Sequence, residues 1–155
     1  MTREESLQKM RAMGAVEAKL LQTEAAAQTI TETEIIEREG AAPRFDPIKD
    51  YTGWPVGAPV RDEGQVWLLV QPHNASHYEG RPSTLRALWG LAHTTDPKKA
   101  KPWVAPYGTS GLYKAGECCL WTDGFVYRCI APQPTEYTPE SYPPYWEKVE
   151  RTEVT

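Results

Sequence analysis

Three histidines, three cysteines and a scatter of acids are the residues of this chain that could do covalent or metal chemistry. His73 and His77 are spaced HxxxH, which on a helix sets two imidazoles on one face for a zinc ion. The surrounding QPHNASHYEG holds Pro, Asn and Gly and reads as a loop, where that register is lost, so no metal is expected. Asp62, Glu63, Asp123, Glu136 and Glu140 supply carboxylates, and a glycosidase needs two of them across a cleft. All lie near Gly or Pro and read as turn formers, so neither a catalytic residue nor an enzyme is expected. Cys118, Cys119 and Cys129 form neither a disulfide framework nor a four-ligand zinc set, and read as buried apolar groups. Nucleotide loops, Ser-His-Asp sets and Cys-His pairs are absent from the sequence, so no cofactor is expected. The chemistry left is non-covalent and belongs to the aromatics.

The elements that position them follow from how unevenly residues are distributed. The chain has 155 residues, the size of one domain with a modest core. Its net charge of −4 removes the electrostatic case for nucleic acid or an anionic membrane. The opening MTREESLQKM lacks the apolar core of a signal peptide, and no run approaches a membrane span; synthesis in the cytoplasm is expected. All 14 prolines lie at or beyond Pro43, and all 16 aromatics at or beyond Phe45. The first 42 residues instead hold eight alanines, eight Asp/Glu and five Lys/Arg. A segment without an aromatic anchor builds no globular core of its own, so it is expected to be a helix stabilised by partners.

That helix starts at a capping box, Thr2 with Glu5 three residues on. Met13, Val16, Leu20, Thr23, Ala27 and Ile30 then follow at spacings of 3, 4, 3, 4 and 3, a short coiled-coil seam. The next seam positions are Glu34 and Glu37, where it fails. The helix is expected to end between Gln28 and Arg38, and it reads either as an oligomerising or docking helix or as one packed on its own domain. GAAPRFDP after Glu39 reads as a linker.

Downstream, two stretches share one pattern. GAPVRDEGQVW carries Gly57, Val60, Gly64, Val66 and Trp67; GECCLWTDGFVY carries Gly116, Cys119, Gly124, Val126 and Tyr127, with a one-residue difference in spacing. Each continues through a proline-containing loop to a tryptophan, Trp89 or Trp146. Both read as strand, glycine turn, strand, loop, tryptophan. Asp123-Gly124 is the stronger hairpin signal and Glu63-Gly64 the weaker. Between the copies, a short helical turn is expected around residues 84–91. Trp67, Trp89, Tyr127 and Trp146 are expected to pack a core.

The expected fold is therefore mainly β with an N-terminal α-helix: an extended arm over residues 1–39, a linker over 40–50, and two small hairpin-based units of related pattern over 51–98 and 99–155. The short join KKAKPWVAP implies contact between the units.

The second unit resembles carbohydrate-binding module family 5/12, the type-3 chitin-binding domain, over about 40 residues. Tyr107 with Tyr113, the hairpin from Gly116 to Tyr127 and the closing Pro143-Pro144-Tyr145-Trp146 carry the likeness. The resemblance implies a short twisted β fold that stacks aromatics on sugar rings, partly through a tryptophan pair after the second strand. Here that stretch is Cys129-Ile130-Ala131-Pro132. Spacing offers Trp121, Tyr137, Tyr142 and Tyr145 as a replacement platform, with Thr122, Asp123 and Glu136 near enough in sequence to bond hydroxyls. As a whole, the helical arm leading into FDPIKDYTGWPVGAPV and RPSTLRALWGL also resembles small proteins encoded among the tail genes of phages and prophages of Gram-positive bacteria. That likeness implies a virion tail or baseplate component with a carbohydrate-binding domain that binds cell-surface polysaccharide. The helical arm is expected to meet other tail subunits and to form a homo-oligomer, for which a trimer is expected although the seam itself does not specify the number. The rival expectation is a purely structural adaptor whose β units bury their aromatics against neighbouring subunits.

Overall fold

A computed structural model describes residues 2–150. Among them the chain is mainly β, with one long N-terminal helix and seven short strands in two sheets.

Helix α1 (Arg3–Ala26) begins at the expected capping box: Glu5 N–H donates to Thr2 Oγ1, and Thr2 N–H donates to the Glu5 carboxylate. It ends earlier than the sequence implies. Gln28 adopts φ 58°, Gln28 N–H donates to Ala25 O and Thr29 N–H to Glu24 O, the bond pair of a Schellman stop with glutamine at the left-handed position. A second capping box, Thr31 with Glu34, then starts the separate helix α2 (Glu32–Glu37). The seam through Ala27 and Ile30 is thereby corrected: Ala27 caps α1 and Ile30 lies beyond it, out of helical register, against the core below.

Leu21 and Ala25 of α1 share a cluster with Ile35, Ile36, Ala42, Val66 and Ala92. Of the segment read as an arm, only the part before Ala18 stands clear of the fold. The stretch read as a linker is also structural: Phe45 is buried, and a 3-10 turn covers Glu39–Ala41.

The first sheet has the order β1 (Pro59–Asp62), β2 (Gln65–Leu69) and β3 (Trp89–Leu91), all antiparallel. Trp89–Leu91 is strand rather than helical turn because Trp89 and Leu91 pair with Leu69 and Trp67. A bridge from Arg44 lies parallel to Arg61 on the β1 edge. Gly57 N–H donates to Leu69 O, Leu69 N–H to Ala58 O, Val70 N–H to Leu88 O and Ala92 N–H to Val66 O. Glu63 (φ 51°) and Gly64 (φ 75°) form the two-residue turn between β1 and β2. Trp89 sits edge-on to Tyr51 at 5.2 Å and to Phe45 at 5.9 Å, and Tyr51 Oη accepts from Asp46 N–H.

The second sheet has the order β4 (Lys101–Pro102), β5 (Cys118–Leu120), β6 (Val126–Cys129) and β7 (Trp146–Lys148), with β4 parallel to β5 and the rest antiparallel. Gly116 N–H donates to Cys129 O, Cys129 N–H to Glu117 O, Ile130 N–H to Tyr145 O and Val149 N–H to Val126 O. The turn is one residue longer: Trp121 N–H donates to Phe125 O, and only Gly124 has positive φ. The Asp123 carboxylate closes this turn through Phe125 N–H instead of Asp123 adopting the left-handed backbone. Trp146 packs against Tyr113 at 5.4 Å, Trp103 stacks on Tyr113 at 6.4 Å, and Tyr113 Oη accepts from Val104 N–H. The three cysteines are buried.

The sheets and α2 meet at a polar junction. Glu32 Oε1 accepts His93 N–H at 2.9 Å, His93 Nδ1 lies 3.1 Å from Glu117 Oε1, and the imidazole stacks on Tyr113 at 3.8 Å. Cys118 N–H donates to Thr94 O, and Arg86 crosses from the first sheet to donate to Ala105 O while lying over the Trp67 ring.

Candidate functional site

The loop leaving β6 carries five prolines between residues 130 and 145, which fix φ and lower the entropy of its free state. Tyr113 and Thr135 exchange two backbone bonds, Thr138 and Ser141 cap one another through their hydroxyls, and Trp146 Nε1 donates to Tyr137 O at 3.1 Å. This tethered loop brings three of the expected platform residues together. Tyr142 and Tyr145 are 4.4 Å apart between ring centroids, Tyr137 and Tyr142 5.4 Å, and Tyr137 and Tyr145 6.2 Å. Tyr137 is 47% and Tyr142 38% exposed, while Tyr145 backs onto the core. The rings are inclined by 39°, 47° and 72°, so they offer angled faces rather than one plane.

Trp121 is not part of this cluster. It sits at the β5–β6 turn, whereas the tyrosine loop leaves from the opposite end of the same hairpin, where Cys129 pairs with Trp146. Its ring meets Trp103 edge-on at 5.7 Å, and the two line a slot of about 260 Å³ with Pro102, Leu120 and Thr122. Trp103 was not legible as a surface residue, because nothing before folding places KPW beside the β5 turn. Asp123 is engaged within its own turn, donated to by Tyr127 Oη at 2.6 Å and by Phe125 N–H, and these bonds hold its carboxyl below the usual range. Glu136 precedes Tyr137 on the exposed loop.

The residues capable of other chemistry are dispersed or occupied. His73 is buried among Tyr51, Tyr78 and Trp89, with Nδ1 2.7 Å from Gln71 O, while His77 is exposed at the end of a 3-10 turn. Among the described residues no group of three His, Cys, Asp or Glu side chains gathers to hold a metal ion. Asp62 takes two bonds from Arg81, and Glu63 accepts from Ser83. Burial pushes the Cys119 thiol up to about 12, keeping it protonated, and raises the Tyr113 phenol and the Glu32 carboxyl. Among the described residues no helix is long and apolar enough to cross a membrane.

A second surface lies on α1. Met13 (56% exposed), Val16 (66%), Leu20 (51%) and Thr23 face away from the side on which Ala18, Leu21 and Ala25 meet the fold, since each residue advances about 100° around the helix. Leu20 also borders a cleft of about 470 Å³ formed with Glu17, Glu37, Arg38, Gly40 and Ala41. Comparison with known protein families and with curated protein sequences gives no match.

Proposed function

We propose that this chain is a non-enzymatic phage tail or baseplate component that assembles through α1 and binds host cell-surface carbohydrate through its C-terminal β unit. The observation that carries the reading is the Tyr137–Tyr142–Tyr145 cluster, held at the surface by a proline-stiffened loop. Aromatic faces suit the C–H face of a pyranose, and a rigid loop lowers the ordering cost of capture. Inclined rings suit a turn or branch of a soluble polysaccharide better than a flat crystalline face. The Trp103–Trp121 slot, at the other end of the hairpin, is a secondary contact at most.

The reading includes two copies of one unit in tandem. Support comes from matching bonds at Gly57 and Gly116, at Leu69 and Cys129, and at Val70 and Ile130. The aromatic trio Phe45, Tyr51 and Trp89 likewise corresponds to Trp103, Tyr113 and Trp146. The one-residue spacing difference falls in the turns, two residues after β1 and three after β5. On this reading the protein resides in the virion tail and is made in the bacterial cytoplasm.

The structural adaptor remains the second reading, favoured by one observation. Ile130, within the stretch Cys129-Ile130-Ala131-Pro132 where the resembling family carries its tryptophan pair, is exposed beside Tyr145 and gives the patch an aliphatic edge suited to a protein partner. Retention of the full chain on purified Gram-positive cell walls, compared with Tyr142→Ala, separates the two: glycan binding requires retention that the variant loses, and the adaptor gives none.

A further inference from the structure

We propose that α1 self-associates as a parallel trimer in register, its partner being two further copies of the same helix. The inference rests on the assembly half of the proposed function and is independent of glycan binding. From Arg3 to Glu17 every residue of α1 except Ser6 is exposed, so more than half the helix has no support from its own fold. A free helical stretch of that length is marginal in water, and covering its apolar stripe supplies what its own domain does not.

The stripe and its flanks specify the occupant. Met13 and Leu20 occupy a positions and Val16 and Thr23 d positions of a heptad, and all four are exposed. Both d residues are β-branched and Leu20 is at a, the reverse of the pattern that favours two strands and in line with higher-order packing. The flanks carry Lys19 at g and Glu17 and Glu24 at e. In a parallel bundle g of one chain meets e five residues on in the next, so Lys19 meets Glu24 of a second copy. There Glu24 already pairs with Arg38 of its own chain, extending the pair into a three-residue network. An antiparallel pair instead sets Glu17 and Glu24 against the same glutamates of the partner. The helix carries four basic and four acidic residues, Arg3, Lys9, Arg11 and Lys19 against Glu4, Glu5, Glu17 and Glu24, so aligned copies do not repel as whole charges. The stripe faces away from Ala18, Leu21 and Ala25, so the β sheets of each copy lie outside the bundle. A parallel arrangement sends all tyrosine loops to one end and multiplies weak single contacts.

Sedimentation equilibrium of the full chain over a micromolar concentration series tests this. The expected mass is three times the 17.5 kDa chain. Leu20→Glu weakens association by at least about a hundredfold, because it puts a charge into the seam. Lys19→Glu weakens it by about two- to fivefold, and the Lys19→Glu/Glu24→Lys exchange restores it. Val16→Cys forms an interchain disulfide under oxidation, because in-register d residues meet their own copies. A monomer throughout the series, a dimer, or an exchange variant no better than Lys19→Glu overturns the proposal. Far-UV circular dichroism of each variant confirms that the fold is intact. Wall retention of the same samples reports on glycan binding separately, so a monomer that is still retained sinks the trimer alone.

Discussion

Leu20 and Leu21 are neighbours in sequence on different faces of α1, and their truncations should behave as unlike mutations. Leu21 is fully buried among Ala25, Ile35, Ile36, Ala42, Val66 and Ala92. Buried leucine-to-alanine changes cost about 2–5 kcal/mol, and the value falls with the freedom of the site to collapse. Here a helix held by few buried side chains closes part of the cavity, so a loss of about 2–3 kcal/mol is expected. For a chain of this length that lowers Tm by roughly 5–10 °C. Leu20→Ala removes a side chain half in water and costs at most about 0.5 kcal/mol to the isolated chain. Thermal unfolding followed by circular dichroism at several protein concentrations separates the effects. Leu21→Ala lowers Tm at every concentration, whereas Leu20→Ala removes only the rise of Tm with concentration that an assembling chain shows. Equal shifts at low concentration, or a Leu21→Ala shift under about 2 °C, refute the assignment of faces.

Other perturbations follow from single positions. Gln28→Gly relieves a left-handed backbone at the α1 stop and should stabilise the chain by roughly 0.5–1 kcal/mol, read as a rise in urea midpoint at unchanged slope. Cys119 is raised by burial to about 12 from an ordinary 9.0, so its contribution is complete below pH 9 and is lost as pH rises towards 12, by up to about 1.4 kcal/mol per pH unit. Cys119→Ala should flatten the alkaline fall of stability measured by urea titration between those limits. Glu32 is likewise raised by burial above 4.5, so its contribution is present in acid and is lost as pH climbs through its folded value. Glu32→Gln keeps the acceptor for His93 N–H and should melt no lower than the parent at neutral pH, while Glu32→Ala loses about 1–3 kcal/mol there.

Local chemistry was legible wherever two or three residues suffice to specify a conformation. Thr2 with Glu5 and the glycines at 57, 64, 116 and 124 announced a helix start and two hairpins. The Thr31–Glu34 box has the same form but was hidden in TITETEII, where repeated threonines blur the start of α2. Gln28 carried no signal, because glutamine is not a residue type that marks a left-handed stop as Gly or Asn does. Turn types came out reversed: Glu63-Gly64 makes the two-residue turn with both φ positive, and Asp123 contributes its side chain instead. Phe45 sat in a stretch that reads as linker, since its parallel pairing beside Arg61 is a tertiary contact. The platform divided for the same kind of reason. Sequence spacing places Trp121 and Tyr137 in one unit, but only the hairpin decides that they emerge at opposite ends.

The most direct test of the account is retention of the full chain on purified Gram-positive cell walls and on chitin, with Tyr142→Ala, Tyr137→Ala and Trp121→Ala alongside. Loss of one stacked ring at about 1 kcal/mol corresponds to about fivefold weaker binding. The parent is expected to be retained on cell walls, each tyrosine variant to be weakened about fivefold or more with its fold intact, and Trp121→Ala to change retention little. No retention of the parent at millimolar-sensitive concentrations, or retention indifferent to both tyrosines, contradicts glycan binding through this cluster and favours the proposed structural adaptor over it.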